Sequence, residues 1–176
     1  MSAQTQNVSQ GRNATKTLVI NGLFIALTLA ATMFINVKLP LPGNGGLIHL
    51  GNVPVFIAAM VYGKKSGALA GAFGMGMFDL ISGWNLWAPF TFVIGGLMGF
   101  AVGFLSEKLT FRPAVVNTIA MAAAMIIKTV GYYFTEVILF GNWIVPLSSI
   151  PGDVIQVVVA AIIVLPLVER LKKMAR

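Results

Sequence analysis

The sequence contains no cysteine, one histidine and five acidic residues in 176. Each scarcity removes a class of chemistry. Without cysteine there is no disulfide, no thiolate nucleophile and no zinc–sulfur site, and cysteine usage says nothing about redox compartment. A single histidine leaves no HExxH zinc site and no Ser-His-Asp pairing within an apolar stretch. The phosphate-loop pattern G-x-x-x-x-G-K-[ST] is also missing. Gly63-Lys64-Lys65-Ser66 lacks the upstream glycine and the loop that would cradle phosphates, so ATP hydrolysis by that route is excluded. No cofactor and no metal is expected. The first sixteen residues are polar and have no apolar h-region, which is not the pattern of a cleaved signal peptide. Residues 1–16 are expected to form a disordered cytoplasmic tail, which removes any weight from the sequons at Asn7 and Asn13.

What the chain has in excess is apolar surface. Hydrophobic residues make up 57% and charged residues 10%, with a mean hydropathy of +0.88, whereas about a quarter of a soluble domain is charged. A soluble fold of this size could not bury so much apolar surface, and lipid can. The net charge of +7 falls in short clusters between apolar stretches, with no continuous basic stripe for nucleic acid. The clusters read as topology signals.

A helix needs about 20 apolar residues to cross the hydrocarbon core. Six stretches meet or approach this: Thr17 to Val37, Ile48 to Tyr62, Gly67 to Ser82, Ala88 to Leu105, Pro113 to Phe140, and Val145 to Val168. The fold expected is all-α, an integral membrane bundle of six transmembrane helices forming one domain over 17–173. Lys38 to Leu47 (KLPLPGNGGL) is too rich in proline and glycine for helix and reads as a structured loop. With the N-terminus inside, every lysine and arginine except Lys38 and Lys128 falls on the cytoplasmic side, and Trp84, Trp87 and Trp143 fall at the outer boundary. Both termini are therefore expected in the cytoplasm. Gly67 and Gly71, and the series Gly95, Gly99 and Gly103, have the small-xxx-small spacing that lets helix backbones approach closely.

An ionisable group within a span costs at least ~2.5 kcal/mol on insertion scales, which makes such residues functional candidates. They are Asp79 in the third span, Lys128 and Glu136 in the fifth, and Asp153 at the start of the sixth. His49 and Asn52 open the second span on the same side. Polar groups thus gather in the outer half while the inner halves are nearly all apolar, as in a cup open to the outside. Lys128, Tyr132 and Glu136 share a helix face at i, i+4 and i+8. Lys128 is placed to pair with Glu136 through a ligand or water, or with Asp79 across helices. The plainer alternatives are buried ion pairs, snorkelling side chains, Asp153 as a helix cap, and the tryptophans as interface anchors. A membrane-embedded enzyme acting on lipid or isoprenoid would need a paired acid or metal-ligand motif, which five acidic residues hardly supply. A channel would need a polar path to the cytoplasmic face.

These residues resemble the substrate-binding S components of energy-coupling factor (ECF) vitamin importers, over Thr17 to Lys173. The resemblance is carried by Ala26-Leu27-Thr28-Leu29-Ala30, Leu50-Gly51-Asn52-Val53-Pro54, the Gly67/Gly71/Gly74 series ending in Asp79, and Gly95-Gly96-Leu97-Met98-Gly99. It implies a multi-pass protein of the bacterial plasma membrane, not an enzyme, that captures a vitamin from outside. It also implies partners, a membrane T component and two ATPase subunits, with Ala26 and Ala30 on the docking surface. The similar branch is that of hydroxymethylpyrimidine, pyridoxine and related heterocycles, with riboflavin and pantothenate branches nearby. A neutral aromatic heterocycle suits Trp84, Trp87 and Tyr132 with Asn52, Asn85 and Asp79, whereas the pantothenate anion would better explain Lys128. The substrate-binding set expected is Asp79, Trp84, Asn85, Lys128, Tyr132, Glu136, His49 and Asn52.

Overall fold

A computed structural model describes residues 3–38 and 47–175. Helix α1 runs Ala3–Phe34, and its apolar part is Ala14–Phe34. Helical backbone thus reaches into the stretch read as a polar tail. Most of the loop read over Lys38 to Leu47 lies outside the described residues; its two ends pair. Strands β1 (Asn36–Lys38) and β2 (Leu47–His49) are antiparallel, with Asn36 opposite His49 and Lys38 opposite Leu47. Then come α2 (Asn52–Tyr62), α3 (64–81), α4 (Ala88–Lys108), α5 (Pro113–Phe140), a 3₁₀ turn (Val145–Ser148) and α6 (Ile150–Ala175).

Local sequence sets these limits. Helix α1 ends at Phe34, and the chain bends at Ile35 into β1. Proline in the first turn of α4 and of α5 fixes a helical φ where no hydrogen-bond donor is required. Helix α5 stops at Gly141, whose φ of 63° closes the last turn in the left-handed region. Among the described residues there are six helices, as expected, and four apolar stretches long enough to cross a membrane: Ala14–Phe34, Ala88–Lys108, Pro113–Phe140 and Val145–Ala175. The second helix differs. Ile48 and His49 sit in the hairpin, so α2 begins at Asn52 and is about 16 Å long at 1.5 Å per residue. Strand pairing satisfies the backbone polar groups of this segment where helix has been interrupted.

Helix α2 is the centre of the bundle. Val55, Phe56 and Ala58 are completely buried, and they meet the stripe of Val157, Ala160, Val164 and Val168 on α6 and that of Met98 and Val102 on α4. These spacings of three and four put each set on one helix face. Helices α3 and α4 touch backbone to backbone. A Cβ on Gly71 would run into the Gly95 carbonyl, and one on Gly99 into the Gly67 carbonyl. Midway along α3, residues Ala70–Met75 form a π-helical stretch. Its wider turns shift the helix faces downstream, where Met75, Phe78 and Asp79 line the cavity described below. Gly22 on α1 is the counter-example, with open space where its Cβ would go.

The glycine contact is testable. Gly99→Ala is expected to cost about 1–3 kcal/mol by forcing the α3 and α4 backbones apart, read as a lowered unfolding temperature in detergent. Gly22→Ala should be neutral or slightly stabilising, since alanine is the better helix former by about 1 kcal/mol.

Candidate functional site

At the hairpin end of the bundle, α1, β2, α3, α4, α5 and α6 enclose a cavity of about 70 Å³. By the roughly 10–15 Å³ that one water needs, this is space for several waters or one small ring. Asp79, Trp84, Lys128, Tyr132, Glu136 and His49, chosen from the sequence, line it together. Asn85 is exposed and outside the lining, and Asn52 is fully buried but also outside it.

The charged groups are matched within the protein. Lys128 is 2% exposed, and its Nζ lies 3.4 Å from Asp153 Oδ1 and 4.6 Å from the centroid of the Tyr132 ring. A carboxylate on one side and an aromatic face on the other both favour a desolvated ammonium. Its ion-pair partner is thus Asp153 across the α5–α6 contact, rather than the Glu136 or Asp79 expected from the sequence. Glu136 accepts a hydrogen bond from the Ser149 hydroxyl, at 2.8 and 3.0 Å to its two oxygens. It is 5% exposed, so it turns inward rather than reaching for headgroups. Tyr132 Oη donates to Thr91 Oγ1 at 3.1 Å, and Asp79 lines the same cavity beside them. That hydrogen bond joins α5 to α4.

His49 supplies a neutral donor. Burial first, and the nearby Lys128 second, push its pKa down to about 3. Its Nδ1 accepts the Gly51 backbone N–H at 3.2 Å, which places the ring proton on Nε2. Trp84 and Trp87 meet edge to face, 5.3 Å between centroids, and Trp87 also packs against Phe140 at 6.0 Å. These contacts fix the indoles as walls of the cavity.

Several lining residues escaped the sequence reading. Thr91, Gln156 and Thr32 are single polar residues in apolar runs, and Ser149 lies in the turn before α6. Gln156 carried a usable signal, since it follows Asp153 by three residues on the same helix face. Its Nε2 donates to the Leu47 carbonyl at 2.6 Å, tying α6 to β2. Ala26 is exposed and Ala30 half-buried on α1, on the open side with Gly22. Among the described residues no group of three His, Cys, Asp or Glu side chains is arranged to hold a metal ion.

Comparison with known proteins places this architecture. Residues 12–173 match the family described as ECF-type riboflavin transporter, S component. The chain belongs to that family. This S component is accordingly a multi-pass cell-membrane protein for uptake of a vitamin or vitamin precursor, and it is not an enzyme. It is 24% identical over 160 residues, 88% of its length and 89% of the relative's, to the thiamine precursor transporter HmpT of Lactococcus lactis subsp. cremoris (strain MG1363). It is 30% identical over 128 residues, 72% of its length and 83% of the other's, to a Pyrococcus woesei protein described as an uncharacterized protein in a gap 3′ region.

The buried pair gives a prediction specific to this S component. Lys128→Met should cost roughly 3–5 kcal/mol, because it strands the Asp153 carboxylate. Lys128→Met combined with Asp153→Leu should recover most of that loss. Thermal unfolding of the two single variants and the double variant measures the coupling, and additive losses would mean that the two groups do not interact.

Proposed function

We propose that this S component captures a single-ring nitrogen heterocycle of the hydroxymethylpyrimidine or pyridoxine type, neutral or cationic. The observation that carries the reading is charge balance in a small cavity. Asp79, Glu136 and Asp153 supply three carboxylates to its lining against the one ammonium of Lys128, and Asp153 already engages that ammonium. An anion such as pantothenate would find no unpaired cation among the described lining residues, so its own desolvation would go uncompensated. The similarity to a thiamine precursor transporter points the same way.

In this reading the hairpin end faces outward and both termini lie in the cytoplasm, as the lysine and arginine distribution favours. The chain has no phosphate loop, so release into the cell depends on a membrane T component and two ATPase subunits. The T component meets α1 at Gly22, Ala26 and Ala30, where small side chains leave the helix face open to close approach.

Two measurements test this. In titrations of the purified protein, hydroxymethylpyrimidine or pyridoxine should bind, and riboflavin and pantothenate should bind at least tenfold more weakly; tight riboflavin binding would overturn the assignment. Ala26→Trp should leave that affinity unchanged while abolishing uptake into cells carrying the complete transporter. Persistent uptake would rule out docking through this face.

A further inference from the structure

The charged residues of the cavity are not left waiting for a ligand. Lys128 has Asp153, and Glu136 has Ser149. Two neutral groups are different. Several buried side-chain atoms have no hydrogen-bond partner among the described residues, and two of them belong to residues lining the cavity: Trp87 Nε1 and Gln156 Oε1. Asn52 also has an unpartnered amide, but it lies outside the lining and carries no such implication.

A buried donor or acceptor left unpaired is costly, and folded proteins rarely keep one without a reason. Here both groups are held in position. Trp87 is packed edge to face between Trp84 and Phe140. Gln156 is 2% exposed, and its Nε2 is committed to the Leu47 carbonyl at 2.6 Å, which also fixes which end of the amide is the oxygen. The wall of the cavity therefore holds a pre-set indole N–H that lacks an acceptor and a pre-set amide oxygen that lacks a donor.

We infer that Trp87 and Gln156 are the specificity-determining residues of the cavity, and that they read a planar ring presenting both a hydrogen-bond acceptor and a donor, such as a ring nitrogen with an exocyclic amine. This rests on the cavity being the substrate site. The ionic groups then form the frame that shapes the cavity, and ligand choice lies with the neutral pair. Because the Gln156 amide also holds β2, a ligand on Oε1 is linked through one planar group to the hairpin.

The test uses the purified full chain, 4-aminopyrimidine as a fragment carrying both functions, and aniline as a ring of similar shape without the ring acceptor. Hydroxymethylpyrimidine, pyridoxine and riboflavin are titrated in parallel. Trp87→Phe removes the N–H and keeps an aromatic wall; Gln156→Leu removes the amide at similar size. Aminopyrimidine should bind better than aniline. Each variant should weaken aminopyrimidine by roughly three- to tenfold, the range of one neutral hydrogen bond, with little effect on aniline. Thermal unfolding without ligand checks that each variant is folded, and Trp87→Phe alone decides the matter if Gln156→Leu is not. Should a vitamin bind the wild type and both folded variants equally, the assignment of these residues falls while the transport reading stands. Should the fragment show the expected dependence and no vitamin bind, the residues stand and the proposed substrate falls. If neither fragment nor vitamin binds, both are overturned.

Discussion

A lysine ammonium held at 2% exposure inside an apolar bundle must be neutralised where it sits, and the architecture around the cavity follows from how this chain does so. Lys128 cannot reach water without leaving its helix face, so α6 must bring Asp153 to it and α5 must offer the Tyr132 ring. Both contacts depend on the packing of α5 against α6. That in turn brings Ser149 onto Glu136 and Gln156 into the lining. Removing one member of a buried pair leaves the other charged and unsolvated, a far larger cost than the pair's net contribution to stability. The pair thus acts more as a constraint on geometry than as a source of stability.

The remainder of the bundle makes that constraint tolerable. Close backbone contact between α3 and α4 at Gly67, Gly71, Gly95 and Gly99 gives van der Waals attraction where lipid provides no hydrophobic drive. The π-helical stretch in α3 follows the start of this contact and precedes Asp79, so the same segment that packs on α4 also brings a carboxylate into the cavity lining. Away from the hairpin end the core is an apolar stack of Val, Ala and Met with α2 at its centre. A polar cavity at one end over a dry base suits capture of a small molecule, and the family assignment agrees with a subunit that binds cargo.

Much of this was legible beforehand. Helix number and most helix limits follow from hydropathy, proline and glycine, because each backbone polar group in lipid must be satisfied within its own segment. The gathering of Asp79, Lys128, Tyr132 and Glu136 in one half of the bundle follows from a rise of 1.5 Å per residue. The hairpin was not legible. Three-residue strands carry too little periodicity to register, so Ile48 and His49 read as helix. Asn85 looked like a site residue by its place beside Trp84, but a turn residue's direction is not fixed by its neighbours in sequence, and it is exposed and outside the cavity lining.

By itself the sequence determined that the chain is a helical membrane protein, that the ionisable groups within its spans gather in one half, and that it carries no ATP-hydrolysing loop of its own. Those conclusions depend on properties summed along the chain, which need no knowledge of neighbours. Only the tertiary structure decided that Lys128 answers to Asp153, that Glu136 is held by Ser149, and that Trp87 and Gln156 keep an unpaired donor and acceptor in the lining. Pairing across helices depends on rotation about each helix axis, and in a bundle whose faces are apolar nearly all round, packing sets that rotation.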